Sequence, residues 1–292
     1  MSFDPTKIPE GLRKDYRDGD CAVLVGAGAS KGAGLPLWGE LLNKMIDSAV
    51  SHGVINQSKE AEYRSIATRS ENFLMVASGL KDDLGCHFDQ FIAETFITPK
   101  PAPTELHEAL VALDKLRTVV TTNYDTLLDR SFRKRDEDVA VCSFTDADEV
   151  ERRLRRHEFF ILKAHGDATK PGKKIVLTDV DYRNMLIDLT DYQKLLGIMF
   201  SIFTFVFVGA SVLDPEISLL LNYLAGSRAP YLRPTHYALM TAEDVIHVEK
   251  ERLIRDFRIQ IITVSKQNNY AEVTEFLREL GSPSADAPAP AL

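Results

Sequence analysis

The sequence has few cysteines, and no two of them are spaced like metal ligands. Only three cysteines occur in 292 residues, and Cys21, Cys86 and Cys142 stand far apart. A structural zinc site needs a closely spaced set of thiolates or imidazoles, and a disulfide framework needs cysteines in pairs. We therefore expect neither a zinc site nor a disulfide-stabilised fold.

An excess of positive charge is also missing. The formal net charge is −8, whereas broad nucleic-acid-binding surfaces need clustered Lys and Arg to displace counterions. One basic run, from Arg152 to His157, is typical of a solvated helix face or of a patch for an acidic partner, and a local contact with nucleic acid is the alternative. We expect no direct nucleic-acid partner.

No apolar segment is long enough to span a membrane. The longest, Ile198–Leu213, contains hydroxyl side chains and falls short of the roughly 20 residues that a spanning helix requires. Asp4 and Lys7 interrupt the start of the chain, where a signal peptide would need an apolar run. Hydrophobic residues make up 45% of the sequence and charged residues 27%, which is normal for a globular protein. These features predict a cytoplasmic protein without membrane contact.

What the sequence does contain is a series of apolar runs that alternate with helical patterns. This alternation predicts an α/β fold with a Rossmann-like parallel sheet covered on both faces. A hairpin-like segment is expected at Lys174–Leu177. The predicted strands are Cys21–Val25, Thr118–Thr121, Val139–Cys142, Phe159–Lys163, Phe203–Val208, Thr235–Met240 and Gln260–Val264.

Between the first two predicted strands the pattern is helical almost throughout, with a break at Pro99–Pro103. We predict one catalytic domain over residues 1–281. Its Rossmann-like core would comprise residues 19–35 and 115–281, and a helical insertion over residues 36–114 would cover the mouth of the pocket. The Pro- and Ala-rich end, residues 282–292, is predicted to be a disordered tail.

Four short motifs follow four of the predicted strands: GAGAS from Gly26, TTNYD from Thr121, KAHGD from Lys163 and GAS from Gly209. Parallel α/β sheets bind ligands at the carboxyl ends of their strands, so these motifs are expected to share one site. The glycines of the first motif allow a sharp turn and a close approach to a phosphate. Its spacing is not G-x-G-x-x-G, and a purely structural turn is the alternative.

The polar residues in the other motifs also have ordinary alternatives. Asn123 could face a ligand or cap the following helix, and Asp125 could interact with the dipole of that helix. The near-neutral pKa of a histidine suits His165 to general-base work, although a loop histidine can also be structural. Gly209 and Ser211 could hold a ribose or a phosphate, or simply connect a strand to a helix.

Taken together, these motifs and the residues around them resemble the sirtuin-like domains, specifically the bacterial anti-phage defence branch that hydrolyses NAD. The segments that carry the resemblance are GAGAS with GLPLW, TTNYD, KAHGD with VLTDVDY, and FVGASVLDPEI. The resemblance runs from about Cys21 to Val264. It implies catalytic roles for Asn123, Asp125 and His165, with NAD bound as the substrate. The positions that it assigns to NAD binding are Gly26, Ala27, Gly28, Ser30, Trp38, Thr122, Gly209 and Ser211.

Two departures from the protein-deacylating sirtuins are informative. Those enzymes carry a four-cysteine zinc module, which this sequence lacks, and they continue Pro-Asp-Phe-Arg where this chain has Pro36-Leu37-Trp38-Gly39. The resemblance therefore implies an NAD hydrolase that uses water and releases ADP-ribose and nicotinamide, with no zinc. A protein deacylase and a non-catalytic module that senses NAD or ADP-ribose are the alternatives. A dehydrogenase is disfavoured, because no acidic residue follows the glycine loop at the spacing of a ribose-binding strand.

Regulation is expected to come from outside this domain, because unrestrained NAD hydrolysis would kill the host. The predicted sheet and insertion account for nearly every residue. By the same resemblance we expect a homo-oligomer and a protein partner, either a HerA-type ring ATPase or an Argonaute-like protein. The chain would then be the NAD-depleting effector of an abortive antiviral defence.

Overall fold

A computed structural model describes residues 3–170, 175–188, 190–212, 215–225, 234–243 and 245–282. These residues form seven strands: β1 Cys21–Val25, β2 Val119–Thr121, β3 Ala140–Ser143, β4 Phe160–Lys163, β5 Thr204–Val208, β6 His236–Thr241 and β7 Ile259–Val264. All the paired strands are parallel, and their order is β3-β4-β2-β1-β5-β6-β7. The predicted parallel α/β sheet is confirmed, and every strand lies within one residue of its predicted bounds.

The hairpin expected at Lys174–Leu177 is wrong for the part that the structure describes. Lys174 lies outside the described residues, and residues 175–177 form no strand. Instead, the N–H of Val176 donates to the carbonyl oxygen of His165 at 3.0 Å. The segment therefore passes alongside the loop that follows β4.

Thirteen α-helices surround the sheet in the described residues. They are α1 Glu10–Asp18, α2 Trp38–Ser51, α3 Gln57–Ile66, α4 Phe73–Leu84, α5 Phe88–Phe96, α6 Glu105–Ala112, α7 Leu127–Arg133, α8 Ala147–Arg156, α9 Asp179–Asp188, α10 Thr190–Ile202, α11 Pro215–Ala225, α12 His247–Phe257 and α13 Gln267–Gly281. Because successive strand residues point to opposite faces, Leu24 lies in a core cluster with side chains of α8–α12, and Val25 lies in another with side chains of α1, α6, α7 and α13. Both faces of the sheet are covered, as the continuous apolar strands predict.

The chain between β1 and β2 is helical. Residues 26–118 are all described and contain no strand. Helices α2–α5 pack around residues such as Met45 and Leu80 to form a cluster of their own, which also contains Tyr124 and Leu127 from the loop and helix after β2. Helix α6 packs instead with α13 on one face of the sheet. The boundaries of the inserted subdomain stay a prediction.

The register of the sheet brings the four motifs together. Val25 pairs with Thr121 on one side and with Val208 on the other, and Thr121 pairs with Lys163. The last residues of β4, β2, β1 and β5 thus stand in one row. The chain leaves β1 for β2 on one side and later returns to β5 on the other side, and ligands bind at such a switch point in open α/β sheets.

Within the described part of the chain, none of the helices is both long and apolar enough to cross a lipid bilayer. Of the tail that the sequence predicts to be disordered, residues 283–292 lie outside the described residues.

Candidate active site

The loops at the ends of β1, β2, β4 and β5 enclose a cavity of about 290 Å³. Asn123 and His165 both line this cavity, so the amide and the imidazole do not face separate pockets. The structure brings all eleven residues of the predicted site to this cavity: Gly26, Ala27, Gly28, Ser30, Trp38, Thr122, Asn123, Asp125, His165, Gly209 and Ser211.

The glycine loop is held against the loop after β5 by direct backbone contact. The N–H of Gly26 donates to the carbonyl oxygen of Val208 at 3.1 Å, and the N–H of Gly28 donates to that of Gly209 at 2.9 Å. A Cβ atom on Gly26 would lie 2.5 Å from the Cα of Ala210. Gly209 has a φ of +59°, in the left-handed region. The glycines are therefore required by the crossing of two loops as well as by a turn.

The glycine loop continues into a 3-10 helix before α2 begins. Residues Ala27–Ala33 form a 3-10 helix, and α2 begins only at Trp38. The side chain of Glu40 accepts a hydrogen bond from the N–H of Leu37 at 2.8 Å and so caps this start. Pro36, Leu37 and Trp38 line the cavity, so it is the N-terminus of α2 that borders the site.

The Asn123 side chain belongs to the cavity and does not cap a helix. Helix α7 begins at Leu127, whose N–H donates to Asp125 Oδ1 at 2.9 Å. Asn123 Nδ2 donates to the carbonyl oxygen of Gly26 at 3.1 Å and to Ser30 Oγ at 3.0 Å. A carbonyl oxygen can only accept, so this contact fixes which end of the amide faces Gly26.

A chain of three side chains joins Asn123 to a carboxylate. Ser30 Oγ donates to Asp125 Oδ2 at 2.8 Å while it accepts from Asn123 Nδ2. All three side chains are buried. Both amide hydrogens of Asn123 are used in these bonds, and no described residue donates to its Oδ1 atom. That oxygen is therefore available to accept a hydrogen bond from a ligand hydroxyl or from water.

His165 enters the cavity from the loop after β4. Its side chain is only 3% exposed. Nδ1 lies 3.5 Å from the hydroxyl oxygen of Tyr182, and the two rings meet edge to face with their centroids 5.2 Å apart. The adjoining Gly166 has a φ of +94°, a conformation that glycine adopts without strain.

One part of the cavity lining is an apolar wall. It is formed by Leu35, Leu37, Trp38, Leu41 and Phe96. The indole of Trp38 stacks on the ring of Phe73, with centroids 6.1 Å apart and planes 17° apart. This wall offers flat apolar surface, which suits an aromatic ring of a ligand better than a phosphate.

A second cavity of about 230 Å³ adjoins the first. Gly28, Leu37, Gly209 and Ala210 line both, so the two spaces meet at the crossing of the loops. The second cavity extends toward β6, β7 and α13, where Tyr270 forms part of its lining. Together they give an elongated cleft along the carboxyl ends of the strands.

A family model for the SIR2-like domain matches residues 117–262. This segment contains 146 of the 292 residues, which is half of the chain. The chain belongs to the SIR2-like domain family. The matched part of this SIR2-like domain includes Asn123, Asp125, His165, Gly209 and Ser211, whereas the glycine loop after β1 lies before it.

Two curated bacterial proteins are similar to the SIR2-like domain over most of its length. A protein named NAD(+) hydrolase ThsA from Bacillus cereus (strain MSX-D12) is 27% identical over 280 residues, which cover 91% of this chain and 55% of that protein. Defense-associated sirtuin 2 from Bacillus subtilis is 27% identical over 248 residues, covering 83% of this chain and 23% of that protein. The chain thus spans about half, or less, of the length of these relatives.

A solved structure described in work on the structural basis for the mechanism and regulation of Sir2 enzymes also aligns with the SIR2-like domain. The TM-score is 0.43 at 15% identity, and the alignment covers 94% of this chain and 98% of that one.

Lys163 of the SIR2-like domain is a residue that sequence reasoning missed. It ends β4 with a side chain only 1% exposed. Its ammonium lies 3.0 Å from Asp129 Oδ2 and 3.4 Å from Asp167 Oδ2, and it donates to the carbonyl oxygen of Asp125 at 2.6 Å. Lysine is almost never fully buried without a partner. A lysine at the end of an apolar strand could therefore have indicated a buried ion pair at this position. Through the Asp125 carbonyl, Lys163 ties the loop of Asn123 to the loop of His165.

The two carboxylates beside Lys163 respond differently to their surroundings. Burial raises the pKa of Asp129 above its usual value, and the Lys163 ammonium offsets only part of that effect. Burial acts in the same direction on Asp167, but the Lys163 ammonium and hydrogen bonds from Thr169 outweigh it and hold the pKa of Asp167 below its usual value. The ammonium is thus the counter-charge of a buried site beneath the cavity.

Two other sequence expectations concern metals and the basic run. In the part of the chain that the structure describes, no group of three or more His, Cys, Asp or Glu side chains could hold a metal ion.

The basic run lies on α8 and its C-cap, where Arg152 and Arg153 pair with Glu149 and Glu158. These pairs match the interpretation of the run as a solvated helix face.

Proposed function

We propose that this SIR2-like domain hydrolyses NAD at the bond between nicotinamide and ribose, and releases nicotinamide and ADP-ribose. The observation that carries the proposal is a single cavity bordered by an oriented amide, an imidazole and a glycine loop. The printed name of the Bacillus cereus relative, an NAD(+) hydrolase, supports the same reaction.

The chemistry needs groups that stabilise a developing positive charge on the ribose and activate water. The Oδ1 atom of Asn123 would accept hydrogen bonds from a ribose hydroxyl and from the attacking water. His165 would take the proton that this water loses as its oxygen bonds to the ribose carbon. The bond to nicotinamide breaks at the same carbon, and the electron pair leaves with the pyridine nitrogen. Asp125 would act through Ser30 by holding the amide of Asn123 in its orientation.

The cleft offers a distinct surface for each part of NAD. The apolar wall around Trp38 suits the nicotinamide ring, and the glycine loop, whose small residues allow a close approach to the backbone beside Ala27 and Thr122, suits the phosphates. Gly209 and Ser211 would lie on the adenosine side, where the second cavity adjoins the first. We propose NAD as a substrate and no zinc ion.

The biological setting is part of the proposal. The name of the Bacillus subtilis relative, a defense-associated sirtuin, supports a role in anti-phage defence. We propose that the chain depletes NAD in the cytoplasm of an infected cell, and that it acts as a homo-oligomer with a protein partner. A HerA-type ATPase or an Argonaute-like protein would be that partner.

The test is incubation of the purified full chain with NAD, alone and with the products of neighbouring genes, followed by identification of the products. We expect nicotinamide and ADP-ribose in equal amounts. Asn123→Ala and His165→Ala should each lower turnover by about 100-fold or more, because each removes a group that acts in the transition state.

Matched controls are Asn222→Ala and His247→Ala, which remove the same side-chain types from exposed positions on α11 and α12. NAD that stays intact under every condition would contradict the proposal, as would full turnover by the Asn123 and His165 variants. Consumption of NAD only together with an acylated peptide would indicate a deacylase instead.

A further inference from the structure

A histidine that acts as a general base needs a second polar group to hold its ring and select its tautomer. Tyr182 has its hydroxyl group beside His165 and lies in that position. Its hydroxyl oxygen is 3.5 Å from His165 Nδ1, and the planes of the two rings meet at 81°. Tyr182, like His165, is 3% exposed. Tyr182 is not among the residues that line the cavity, so it contacts the imidazole from behind.

The backbone that carries Tyr182 is fixed by a helix cap. Thr178 and Asp181 form a reciprocal pair at the start of α9: Thr178 Oγ accepts from the N–H of Asp181 at 3.1 Å, and Asp181 Oδ2 accepts from the N–H of Thr178 at 3.0 Å. Lys81 of α4 pairs with the same carboxylate at 2.7 Å. Another side chain of α4, Ser78, donates to Asp179. The position of Tyr182 along α9 is therefore well defined.

The segment before α9 is also tied to the site loops. The N–H of Val176 donates to the carbonyl oxygen of His165 at 3.0 Å, and the hydroxyl of Tyr124 donates to the carbonyl oxygen of Val176 at 2.7 Å. Tyr124 itself lines the cavity. These contacts hold Val176 beside the His165 loop, and the cap holds the start of α9, so the backbone that carries Tyr182 is fixed next to His165.

We propose that Tyr182 is a positioning residue for His165: its hydroxyl oxygen accepts a hydrogen bond from Nδ1–H and keeps the lone pair of the imidazole on Nε2. The inference rests on the proposed function, in which that lone pair takes a proton from water. A phenol oxygen can accept as well as donate, so it can serve this tautomer. The hydrogen bond strengthens when the imidazole gains its proton, because the donor is then charged.

The first test is kinetic and uses Tyr182→Phe, which keeps the ring that packs on His165 and removes only the oxygen. We expect kcat for NAD hydrolysis to fall about tenfold or more, since a hydrogen bond to a charged group is lost. The KM for NAD should change by less than about twofold, because Tyr182 does not border the cavity.

The matched control for this test is Tyr16→Phe. Tyr16 is also a buried tyrosine, and its hydroxyl donates to Asp114 Oδ1 at 3.2 Å on the other face of the sheet. This variant should keep the wild-type kcat. An unchanged kcat in Tyr182→Phe, or an equal loss in both variants, would overturn the proposal.

The second test does not depend on turnover. Nitrogen NMR of the full chain with ¹⁵N-labelled histidine reports which ring nitrogen carries the proton, and the signals of His165 are those that disappear in His165→Gln. We expect the Nδ1-protonated tautomer in the wild type and a shift toward the Nε2-protonated tautomer in Tyr182→Phe. An Nε2-protonated wild type would overturn the proposal. If the expected tautomers are observed in a chain that does not cleave NAD, they would support the orientation of His165 by Tyr182 and contradict the proposed hydrolysis of NAD.

Discussion

The two walls of the cavity are built by different means. The sheet-side wall consists of the loops after β1, β2, β4 and β5, which are held by backbone hydrogen bonds, by the Asn123–Ser30–Asp125 chain and by Lys163 beneath them. The helix-side wall consists of apolar side chains that come from α2, α5 and the segment before α2. The first wall is fixed by polar geometry and the second by packing.

This difference indicates where the site tolerates change. Backbone atoms in direct contact leave no room for an added methyl group, and a buried charge without its partner is costly. Apolar side chains of similar volume can replace each other at a small cost, because dispersion contacts have little directionality. We therefore expect the sheet-side wall to determine whether the site forms, and the helix-side wall to adjust which ligand fits it.

The largest loss of stability is expected from Lys163→Met, which removes the ammonium but keeps an unbranched side chain of nearly the same length. Asp129 and Asp167 would stay buried without a counter-charge, and the free energy of unfolding should fall by about 3–5 kcal/mol. Denaturant unfolding followed by circular dichroism measures this change. The matched control, Lys59→Met, breaks a partly exposed ion pair with Asp83 and should cost less than about 1 kcal/mol.

The pH dependence of Lys163→Met sharpens the same prediction. Without the ammonium, the pKa of Asp129 should rise further above its unfolded value and the pKa of Asp167 should rise from its present low value, so the charged carboxylates should destabilise the folded state most at a pH above these pKa values. The loss in the free energy of unfolding relative to the wild type should therefore be greatest near neutral pH and should shrink as the pH falls through these pKa values. A deficit that is independent of pH would show that lost packing, and not unpaired charge, is responsible.

A somewhat smaller loss of stability is expected from Gly209→Ala, which tests the backbone contact of the sheet-side wall. The added Cβ would collide with the backbone nitrogen of Ala29, and the residue would have to keep a φ of +59°. We expect a cost of about 2–4 kcal/mol and loss of NAD turnover. Gly53→Ala is the control, because Gly53 has a φ of +66° with open space around it and should cost only about 1 kcal/mol. Equal costs in the two variants would mean that the crossing of the loops is not tightly packed.

The smallest effect is expected on the helix-side wall, from Trp38→Phe. A phenyl ring can still stack on Phe73, so the free energy of unfolding should change by less than about 1 kcal/mol. The KM for NAD should rise by about two- to fivefold with little change in kcat, since the lost apolar contact is the same in the bound substrate and the transition state. A large loss of kcat would contradict the division between the walls and would assign Trp38 to the catalytic geometry.

The fold and most of the site could be predicted because their signals are local. Each strand is a short apolar run, and each of the four motifs lies directly after such a run, so the parallel topology alone brings them to one edge. The helix that Asn123 could have capped begins only at Leu127, and the side chain of Asp125 caps it instead. The hairpin predicted at Lys174–Leu177 is not formed by residues 175–177, which make no ladder, and Val176 holds the His165 loop instead.

By itself, the sequence determined the parallel sheet and the four loops that carry polar residues, because apolar periodicity and glycine positions are properties of short segments. Only the tertiary structure decided that Lys163 is the buried counter-charge of Asp129 and Asp167, and that Tyr182 meets His165. Those contacts join residues from different loops and helices. Their geometry depends on where α7 and α9 pack, which no local pattern specifies.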